Sequence, residues 1–419
     1  MKISSDVNMK SIFSDRISDV PKSFIREILK VAVDPSIISF AGGLPNRELF
    51  PVEEIRQATN RVLQEQGRDA LQYSNTEGYL ELRRYLSQRY FEKHHLNIAV
   101  KNILITNGSQ QGLDLLGKIL LNKEDDVVIE EPGYLGAIQA FSVYRSTFNP
   151  VPVSEDGMDI ARLQTVMSAG APKLIYTVPN FQNPSGISYS EANRLAVADI
   201  VKDSTSFLIE DDPYGDLRFE GVAKTSFQRL IPDNTVLLGS FSKTIAPSFR
   251  IGWIVAPDEL IEKLVIAKQA ADLHTNSFAQ YVIYRYIKDN NFDEHIKKIV
   301  RVYAGQRNAM IKNIRQYFPP EIKYTQPEGG MFLWVTLPPQ MSSMQLFERA
   351  IKDNVAFVPG HPFYINKTEV NTLRLNFSCV DEATIQIGIK RLGKALKEQL
   401  TASSLIQSGG IVKQLDSER

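Results

Sequence analysis

The chain has 419 residues, of which 43% are hydrophobic and 23% are charged. This balance is typical of a soluble globular protein, and the length favours two domains over a single hydrophobic core. Lysine plus arginine equals aspartate plus glutamate at 48 each, so the sequence lacks the basic excess that favours a nucleic acid or an anionic membrane as a partner.

Cysteine and histidine usage argues against structural metals. Cys379 is the single cysteine, which excludes an intramolecular disulfide and a thiolate cluster, and the five histidines are not spaced as metal ligands. The N-terminal residues 1–6 lack the apolar segment of a secretion signal, and no apolar run reaches the roughly 18 residues of a spanning helix. We therefore expect a cytoplasmic protein that binds neither metal, membrane nor nucleic acid.

The N-terminal half of the chain begins with about 20 polar residues, which are predicted to form an arm, and a short helix at 21–32 follows. Between about residues 100 and 256, short apolar runs alternate with helical patterns. Such runs predict strands buried on both faces of a mostly parallel sheet, and ligands bind beyond the carboxyl ends of strands in these sheets. The candidate strands are Ile103–Thr106, Val127–Glu130, Leu174–Val178, Phe207–Glu210, Val236–Gly239 and Gly252–Ala256.

The C-terminal part shows a different pattern. Residues 277 to about 316 have a long helical periodicity without proline, and short strands and helices follow Pro319-Pro320. This change predicts a smaller α+β domain that ends near residue 399. The polar residues 401–419 include Gly409-Gly410 and are expected to form a loosely ordered tail.

Four polar segments follow predicted strands. In the segment 106–112, Ser109 is a candidate N-cap, and the amides at a helix start favour a phosphate, although an ordinary capped helix is the preferred explanation of this segment taken alone. In the segment 179–186, a side-chain amide held by a proline turn could donate to a phenolate-like oxygen. Each of these two segments has an ordinary structural explanation when it is taken alone.

The other two segments carry charge. Glu210, Asp211 and Asp212 end a predicted strand, where acidic side chains are costly unless they are solvated, paired or bound to a cation. The segment 240–252 carries two serines, Lys243 and Arg250, which can clamp a phosphate because arginine is a bidentate donor. The four segments together are much harder to explain as turns and surface charge.

With these segments, the chain resembles the fold-type I pyridoxal-phosphate (PLP) aminotransferases of class I/II, in the subgroup of the 2-aminoadipate and kynurenine aminotransferases. The aminotransferase-like domain of MocR-type regulators is a near relative. The resemblance extends from about Pro21 to residue 395. Its motifs are Ser-x-Ser-Lys at 240–243 with Arg250, Asp-Asp-Pro-Tyr at 211–214, Asn-Pro-Ser-Gly at 183–186, Ala-Gly-Gly-Leu-Pro at 41–45, Glu-Pro-Gly-Tyr at 131–134 and Pro-Glu-Gly-Gly-Met-Phe-Leu-Trp at 327–334.

The resemblance implies an α/β fold of the PLP-dependent transferase type I. A large domain would contain a mostly parallel seven-stranded sheet and bind PLP, and a smaller α+β domain would follow. We expect an N-terminal arm and helix at 1–50 that joins the small domain, the large domain at 51–295, the small domain at 296–400 and the tail at 401–419.

The resemblance also implies catalytic roles for Lys243, Asp211 and Tyr214. Lys243 would hold PLP as a Schiff base and shuttle the substrate proton, with a depressed amine pKa. Asp211 would pair with the pyridine nitrogen, while Tyr214 and Asn183 would hydrogen-bond the phenolic oxygen of the cofactor. Tyr134 would stack on the face of the ring.

Further residues are implied for the phosphate and the substrate. Tyr73 of a neighbouring subunit would complete the site, so a homodimer with shared active sites is expected. Arg374 would grip the substrate α-carboxylate, with Asn183 and Gly43 nearby. Arg26 would read a distal carboxylate, although it lies off the apolar face of its predicted helix and a solvated helix residue explains it equally well. The phosphate would be held by Ser109, Gln110, Ser240, Ser242 and Arg250.

These roles predict the transfer of an amino group from an L-α-amino acid to a 2-oxo acid such as 2-oxoglutarate, by a ping-pong mechanism. The expected donors are of the 2-aminoadipate, glutamate, aromatic or branched-chain type. A PLP-dependent β-lyase uses the same residues and stays an alternative. A PLP-sensing regulator is less favoured, because only about 20 polar residues precede the matching region. A catalytically idle scaffold would not need Lys243, Asp211 and Arg374 together.

Arg26 generates the first prediction. An Arg26→Ala variant should raise the KM for acidic amino acids much more than the KM for leucine or aromatic ones, because only acidic side chains carry the distal carboxylate. Steady-state kinetics with both substrate classes checks this, and equal losses for the two classes would rule the role out.

Overall fold

The computed structural model describes residues 13–18, 20, 34–367 and 370–417. The predicted helix at 21–32, including Arg26, lies outside these residues. The strands are β1 Ile38–Ser39, β2 Ile103–Thr106, β3 Asp126–Glu131, β4 Thr147–Ser154, β5 Gly157–Met158, β6 Leu174–Thr177, β7 Phe207–Asp211, β8 Thr235–Ser240, β9 Gly252–Val255, β10 Lys323–Tyr324, β11 Phe332–Thr336, β12 Val355–Ala356, β13 Val358–Pro359 and β14 Thr372–Asn376.

Helices cover most of the remaining ordered chain. The α-helices are α1 Asp15–Ser18, α2 Val52–Ala70, α3 Leu80–His94, α4 Ser109–Leu120, α5 Leu135–Ser142, α6 Ile160–Ala169, α7 Glu191–Val201, α8 Phe227–Leu230, α9 Asp258–Asp272, α10 Ser277–Asp289, α11 Phe292–Tyr317, α12 Ser343–Lys352 and α13 Glu382–Ser417. Short 3-10 helices lie at Arg47–Leu49, Val100–Asn102, Gly215–Leu217, Pro232–Asn234, Pro247–Phe249 and His361–Phe363. Within the described ranges, no helix has the length and apolarity needed to cross a membrane.

The large sheet has eight strands in the order β2-β9-β8-β7-β6-β3-β4-β5. The pairs β8/β7, β7/β6, β6/β3 and β3/β4 are parallel, which confirms the mostly parallel α/β fold. The two-residue strand β5 pairs antiparallel with β4 at the edge and adds an eighth strand to the expected seven. The strand β4 was absent from the sequence prediction, because Pro150, Pro152 and a mostly half-exposed surface mask its pattern, as is usual for strands near an edge.

The polar segments lie at one edge of the sheet because of the direction of β9. Strand β9 runs antiparallel to both of its neighbours, and Gly252 at its start pairs with Thr106 at the end of β2 and with Ser240 at the end of β8. Residues that precede β9 therefore lie at the same edge as residues that follow the parallel strands. This edge carries the segments that begin after Thr106, Glu131, Thr177, Asp211 and Ser240.

The two faces of the sheet are buried under different helices. Leu104 and Leu238 belong to a cluster that continues to Phe332 and Leu373 of the second sheet, so one apolar core joins the two sheets. Ile103 and Trp253 point to the opposite face and pack with Ile283 of α10. Neighbouring residues of a strand fall in different clusters because successive side chains of a strand point to opposite faces of the sheet.

The second sheet has four antiparallel strands in the order β10-β11-β14-β13, and β1 pairs in parallel with β12 beside it. Backbone bonds from Phe40 to Ala356 and from Asn376 to Phe40 fasten the segment after β1 to this sheet, at 2.8 Å and 2.9 Å. The segment 40–43 is thereby held next to Arg374 on β14.

Two long helices extend past the predicted boundaries. The helix α11 runs without interruption across the expected domain boundary at 295/296. The helix α13 continues to Ser417, past the predicted start of the tail at 401. No proline follows Glu382, so nothing in the sequence blocks the helical hydrogen bonds there.

Arg194 on α7 organises the loop that carries Asn183. Its guanidinium is fully buried and donates to the carbonyl oxygens of Pro179 at 2.8 Å and of Thr225 at 3.1 Å. It also donates to Asn180 Oδ1 at 2.8 Å and lies 3.7 Å from Glu210. Without this cation, several buried acceptors would lose their partner.

An Arg194→Met variant should lower the free energy of unfolding by about 3–5 kcal/mol, because it leaves buried carbonyl oxygens without a donor and Glu210 without its cationic neighbour. The matched control is Arg229→Met, since Arg229 is exposed and should change stability by less than about 0.5 kcal/mol. Urea unfolding of the two variants and the wild type checks the difference. Equal stability of the two variants would contradict the role of Arg194.

Candidate active site

The predicted residues surround one cavity of about 430 Å³ at the carboxyl edge of the large sheet. Those that line it are Gly43, Ser109, Gln110, Tyr134, Asn183, Asp211, Tyr214, Ser240, Ser242, Lys243, Arg250 and Arg374. The sequence analysis missed other lining residues, which are Leu135, Gly136, Gln139, Tyr176, Val178, Pro213, Pro247 and Phe363. Tyr73 does not line this cavity, and Arg26 lies outside the described residues.

Lys243 supplies an amine to the cavity. Its Nζ donates to the carbonyl oxygen of Gly43 at 2.8 Å, which joins the segment after β1 to the large sheet. Burial lowers the pKa of Lys243 to about 8, and the positive charges of Arg374 and Arg250 act in the same direction. An amine with this pKa is neutral in a substantial fraction of molecules near neutral pH, as a nucleophile or proton carrier requires.

Asp211 is a buried carboxylate with one free oxygen. It ends β7, is 2% exposed, and its Oδ2 accepts a hydrogen bond from the Tyr176 hydroxyl at 2.7 Å. Its Oδ1 has no partner among the described residues. Burial raises the pKa of Asp211 to about 7. A cationic donor at Oδ1 would satisfy this oxygen and favour the ionised form.

Asn183 and Tyr214 place polar groups on another side of the cavity. Asn183 is 7% exposed, and its Oδ1 accepts a hydrogen bond from Arg374 Nη1 at 2.7 Å. Its side chain also interacts with the Tyr214 hydroxyl, whose pKa burial raises well above its usual value. The ring of Tyr214 packs edge-on against Phe332 with centroids 5.9 Å apart. The amide and the phenol can therefore address the same ligand oxygen.

A buried carboxylate holds the loop that carries Asn183. Glu130 accepts hydrogen bonds from the Val178 amide at 3.0 Å, from Tyr189 at 2.7 Å and from Gln182 Nε2 at 2.9 Å. The Gln182 side chain in turn accepts a hydrogen bond from the Ser185 amide at 3.0 Å. The loop is thus fixed on both sides of Asn183.

The start of α4 is a candidate anion site. The N-cap of this helix is Gly108 with φ 72°, so the expected cap at Ser109 is wrong; Ser109 is the first helical residue. A left-handed backbone at this position suits glycine, and a Cβ there would approach Arg250 Nη2 to 2.5 Å. The first amides of a helix lack intrahelical partners and attract anions. The Gln110 side chain donates to the Gly136 carbonyl at 2.8 Å and borders the same space.

The segment after β8 adds hydroxyls and a guanidinium to this anion site. The Ser240 hydroxyl donates to Ser242 Oγ at 2.9 Å, and Arg250 Nη1 lies 3.5 Å from the same oxygen. Arg250 Nη2 donates to the Asn107 carbonyl at 3.3 Å, which ties it to the turn before α4. Two serines, a guanidinium and a helix N-terminus together can bind a phosphate.

Arg374 is held rigidly on β14. Its guanidinium lies 4.3 Å from the centre of the Phe332 ring and 5.3 Å from that of Phe363. Its Nη2 donates to the Ala41 carbonyl at 2.7 Å, while Nε has no partner among the described residues. Burial lowers the pKa of Arg374 to about 10. A planar cation that lines the cavity is suited to a carboxylate.

Tyr73 lies on the surface of the described chain. It is 79% exposed, and its ring packs edge-on against His274 with centroids 5.9 Å apart. Its side chain is therefore free to enter a site on another molecule, and within its own chain it does not complete the cavity.

Comparisons with known proteins agree on one family. The profile described as aminotransferase class I and II matches residues 36–392. The aromatic-amino-acid aminotransferase 1 of Thermococcus litoralis is 40% identical over 94% of this chain and 96% of its own length.

Solved structures give the same result. The α-aminoadipate aminotransferase of Thermus thermophilus, complexed with N-(5'-phosphopyridoxyl)-L-leucine, has a TM-score of 0.88 and 39% identity, covering 94% of this chain and 100% of that chain. The kynurenine aminotransferase of Pyrococcus horikoshii has a TM-score of 0.90 and 40% identity, and the match covers 94% of this chain and 99% of that chain.

The free oxygen of Asp211 leads to a pH-dependent prediction for the protein without ligand. Because the pKa of Asp211 is raised to about 7, its contribution to stability is full below about pH 4 and is lost as the pH rises through about 7. An Asp211→Asn variant lacks this loss and should gain stability relative to the wild type between about pH 5 and pH 8.

Thermal unfolding of both ligand-free proteins across this pH range tests the prediction. Glu130 and Glu210, whose pKa values burial also raises to about 7, titrate in both proteins, so the difference reports Asp211 together with its electrostatic coupling to Glu130. A stability difference that does not change with pH would contradict the account of Asp211.

Proposed function

The chain belongs to the class I and II aminotransferases, and we propose that it uses PLP to move the amino group of an L-α-amino acid to a 2-oxo acid. The observation that carries this proposal is the meeting of three groups in one cavity. They are the Lys243 amine of lowered pKa, the unpaired Oδ1 of buried Asp211 and the anion site at the start of α4.

The donor set fits PLP group by group. A protonated ring nitrogen would satisfy Asp211 Oδ1, the orphan oxygen of the cavity. The phosphate would bind where the amides of α4 meet Ser240, Ser242 and Arg250. The phenolic oxygen would accept hydrogen bonds from Asn183 and Tyr214. Tyr134 would lie against the ring, and Gln110 and Ser109 would border the phosphate.

When bound, PLP supplies an electron sink for the carbon that loses its proton. Lys243 would anchor the cofactor, and its amine, once released, would carry the proton from the substrate α-carbon. Asp211 would keep the proton on the ring nitrogen, because an anion at that position stabilises the cationic form. Arg374 would bind the α-carboxylate and so fix the α-carbon near Lys243.

The substrate class rests on the relatives and on Arg26. The relatives described above are named for aromatic amino acids, α-aminoadipate and kynurenine, and we propose donors of these kinds with 2-oxoglutarate as an acceptor. Gly43 and Asn183 would border the bound amino acid, and Arg26 would read an acidic side chain. We do not propose the β-lyase alternative, because these relatives are named as aminotransferases.

Assembly and location remain part of the proposal. A homodimer would bring the exposed Tyr73 of one subunit to the phosphate of the other, and its 79% exposure supports this role. We also propose a cytoplasmic protein divided into arm, large domain, small domain and C-terminal segment as the sequence predicts.

The function is tested by spectroscopy of the PLP-loaded protein. Addition of L-glutamate should convert the visible band of the bound cofactor to that of pyridoxamine phosphate, and 2-oxoglutarate should restore the original band. A Lys243→Ala variant should lose this cycle, whereas Lys263→Ala, a change at an exposed lysine of α9, should retain it. A band that no amino acid alters would contradict amino-group transfer, and the absence of any band would contradict PLP binding.

A further inference from the structure

Tyr176 is a cavity residue that the roles above do not include. It lies on β6, where it pairs with Ile209 of β7, two residues before Asp211. Because side chains repeat every two residues along a strand, Tyr176 and Asp211 lie on the same face of neighbouring strands. The Tyr176 hydroxyl therefore reaches Asp211 Oδ2, at 2.7 Å.

The Tyr176 ring has a fixed position. It is fully buried, and the ring of Phe141 packs edge-on against it at a centroid distance of 6.3 Å. Tyr134 stacks beside it at 6.4 Å with an interplanar angle of 23°. Among the described residues, Asp211 is the one hydrogen-bond partner of this hydroxyl. The donor is thus held in place before any ligand binds.

The hydrogen bond makes the two oxygens of Asp211 different from each other. Oδ2 is occupied by a neutral phenol, Oδ1 is left without a partner among the described residues, and Asp211 lines the cavity. Rotation of the carboxylate would break the bond to Tyr176, so the free oxygen keeps its direction. A hydrogen bond to a carboxylate also makes it a weaker base.

Building on the proposed function, we propose that Tyr176 is the positioning residue for Asp211. It directs Oδ1 at the ring nitrogen of the cofactor and weakens the carboxylate as a base, so that the shared proton stays on the nitrogen. The phenol touches no reacting atom in this role, and it acts through Asp211 alone.

Other charged groups near Asp211 set the background for this role. The negative charges of Asp212 and Glu130 raise the pKa of Asp211, after the larger effect of burial, and the hydrogen bond from Tyr176 lowers it. The phenol of Tyr134, the cations of Arg250 and Arg374 and the phenol of Tyr214 line the same cavity. A change confined to position 176 leaves all of these groups in place.

The test compares Tyr176→Phe with Tyr144→Phe in the PLP-loaded protein. Tyr144 also donates to a carboxylate, that of Asp114 at 2.9 Å, and neither Tyr144 nor Asp114 lines the cavity. Both variants lose one phenol-to-carboxylate hydrogen bond. Only Tyr176→Phe should alter the cofactor.

Three readouts are expected to change for Tyr176→Phe alone. The pH at which the visible band of bound PLP changes should rise by about 0.5–1 unit, because a more basic Asp211 withdraws positive charge from the ring. The Kd of the ligand-free protein for PLP should rise by about threefold to tenfold. The kcat should fall by about tenfold while the KM for the amino acid changes by less than about twofold.

Incorporation of 3,5-difluorotyrosine at position 176 gives a second variant that keeps the ring and the hydrogen bond. Its more acidic hydroxyl is a stronger donor, so the band transition should move to lower pH, opposite to Tyr176→Phe. Equal effects of Tyr176→Phe and Tyr144→Phe, or no shift of the transition in either variant at position 176, would overturn the proposal. A wild type that forms no PLP band would instead overturn the proposed function, so the two failures are distinguishable.

Discussion

A carboxylate withdrawn from water needs a partner for each oxygen, and among the described residues Asp211 has a partner for only one. The cost of leaving Oδ1 unpaired is lowest when a cation occupies the cavity, because ionised groups are stabilised in the interior only when they are paired. The other polar groups of the site line the same cavity as Asp211. Lys243 contributes an amine, the start of α4 contributes amides, and Arg374 contributes a rigidly held cation.

The sheet topology is what gathers these groups. Parallel strands place their carboxyl ends at one edge, which accounts for Asp211, Ser240 and the loop of Asn183. Arg250 precedes its strand instead of following one, and only the reversed direction of β9 brings it to the same edge. The segment 40–43 completes the cavity from the second sheet, because β1 pairs with β12 next to Arg374.

Sequence reasoning located the strands that are apolar throughout, such as Ile103–Thr106, and the motifs that carry charge. It missed β4, whose prolines and partial exposure give no regular pattern. It also missed Tyr176, because a tyrosine within an apolar strand has the pattern of a core residue; only the three-dimensional register reveals its bond to Asp211. The cap at Ser109 was misplaced by one residue, since serine is a common cap and the left-handed Gly108 is visible only in the backbone.

The attachment of the cofactor is the central claim, and chemical trapping tests it directly. Borohydride reduction of the PLP-loaded protein, followed by proteolysis and mass spectrometry of the peptides, should place the phosphopyridoxyl group on Lys243 alone. Lys268 serves as an internal comparison, because it is another fully buried lysine but is paired with Asp272 and Gln111 and does not line the cavity. A label on Lys268 or on surface lysines, with none on Lys243, would contradict the account.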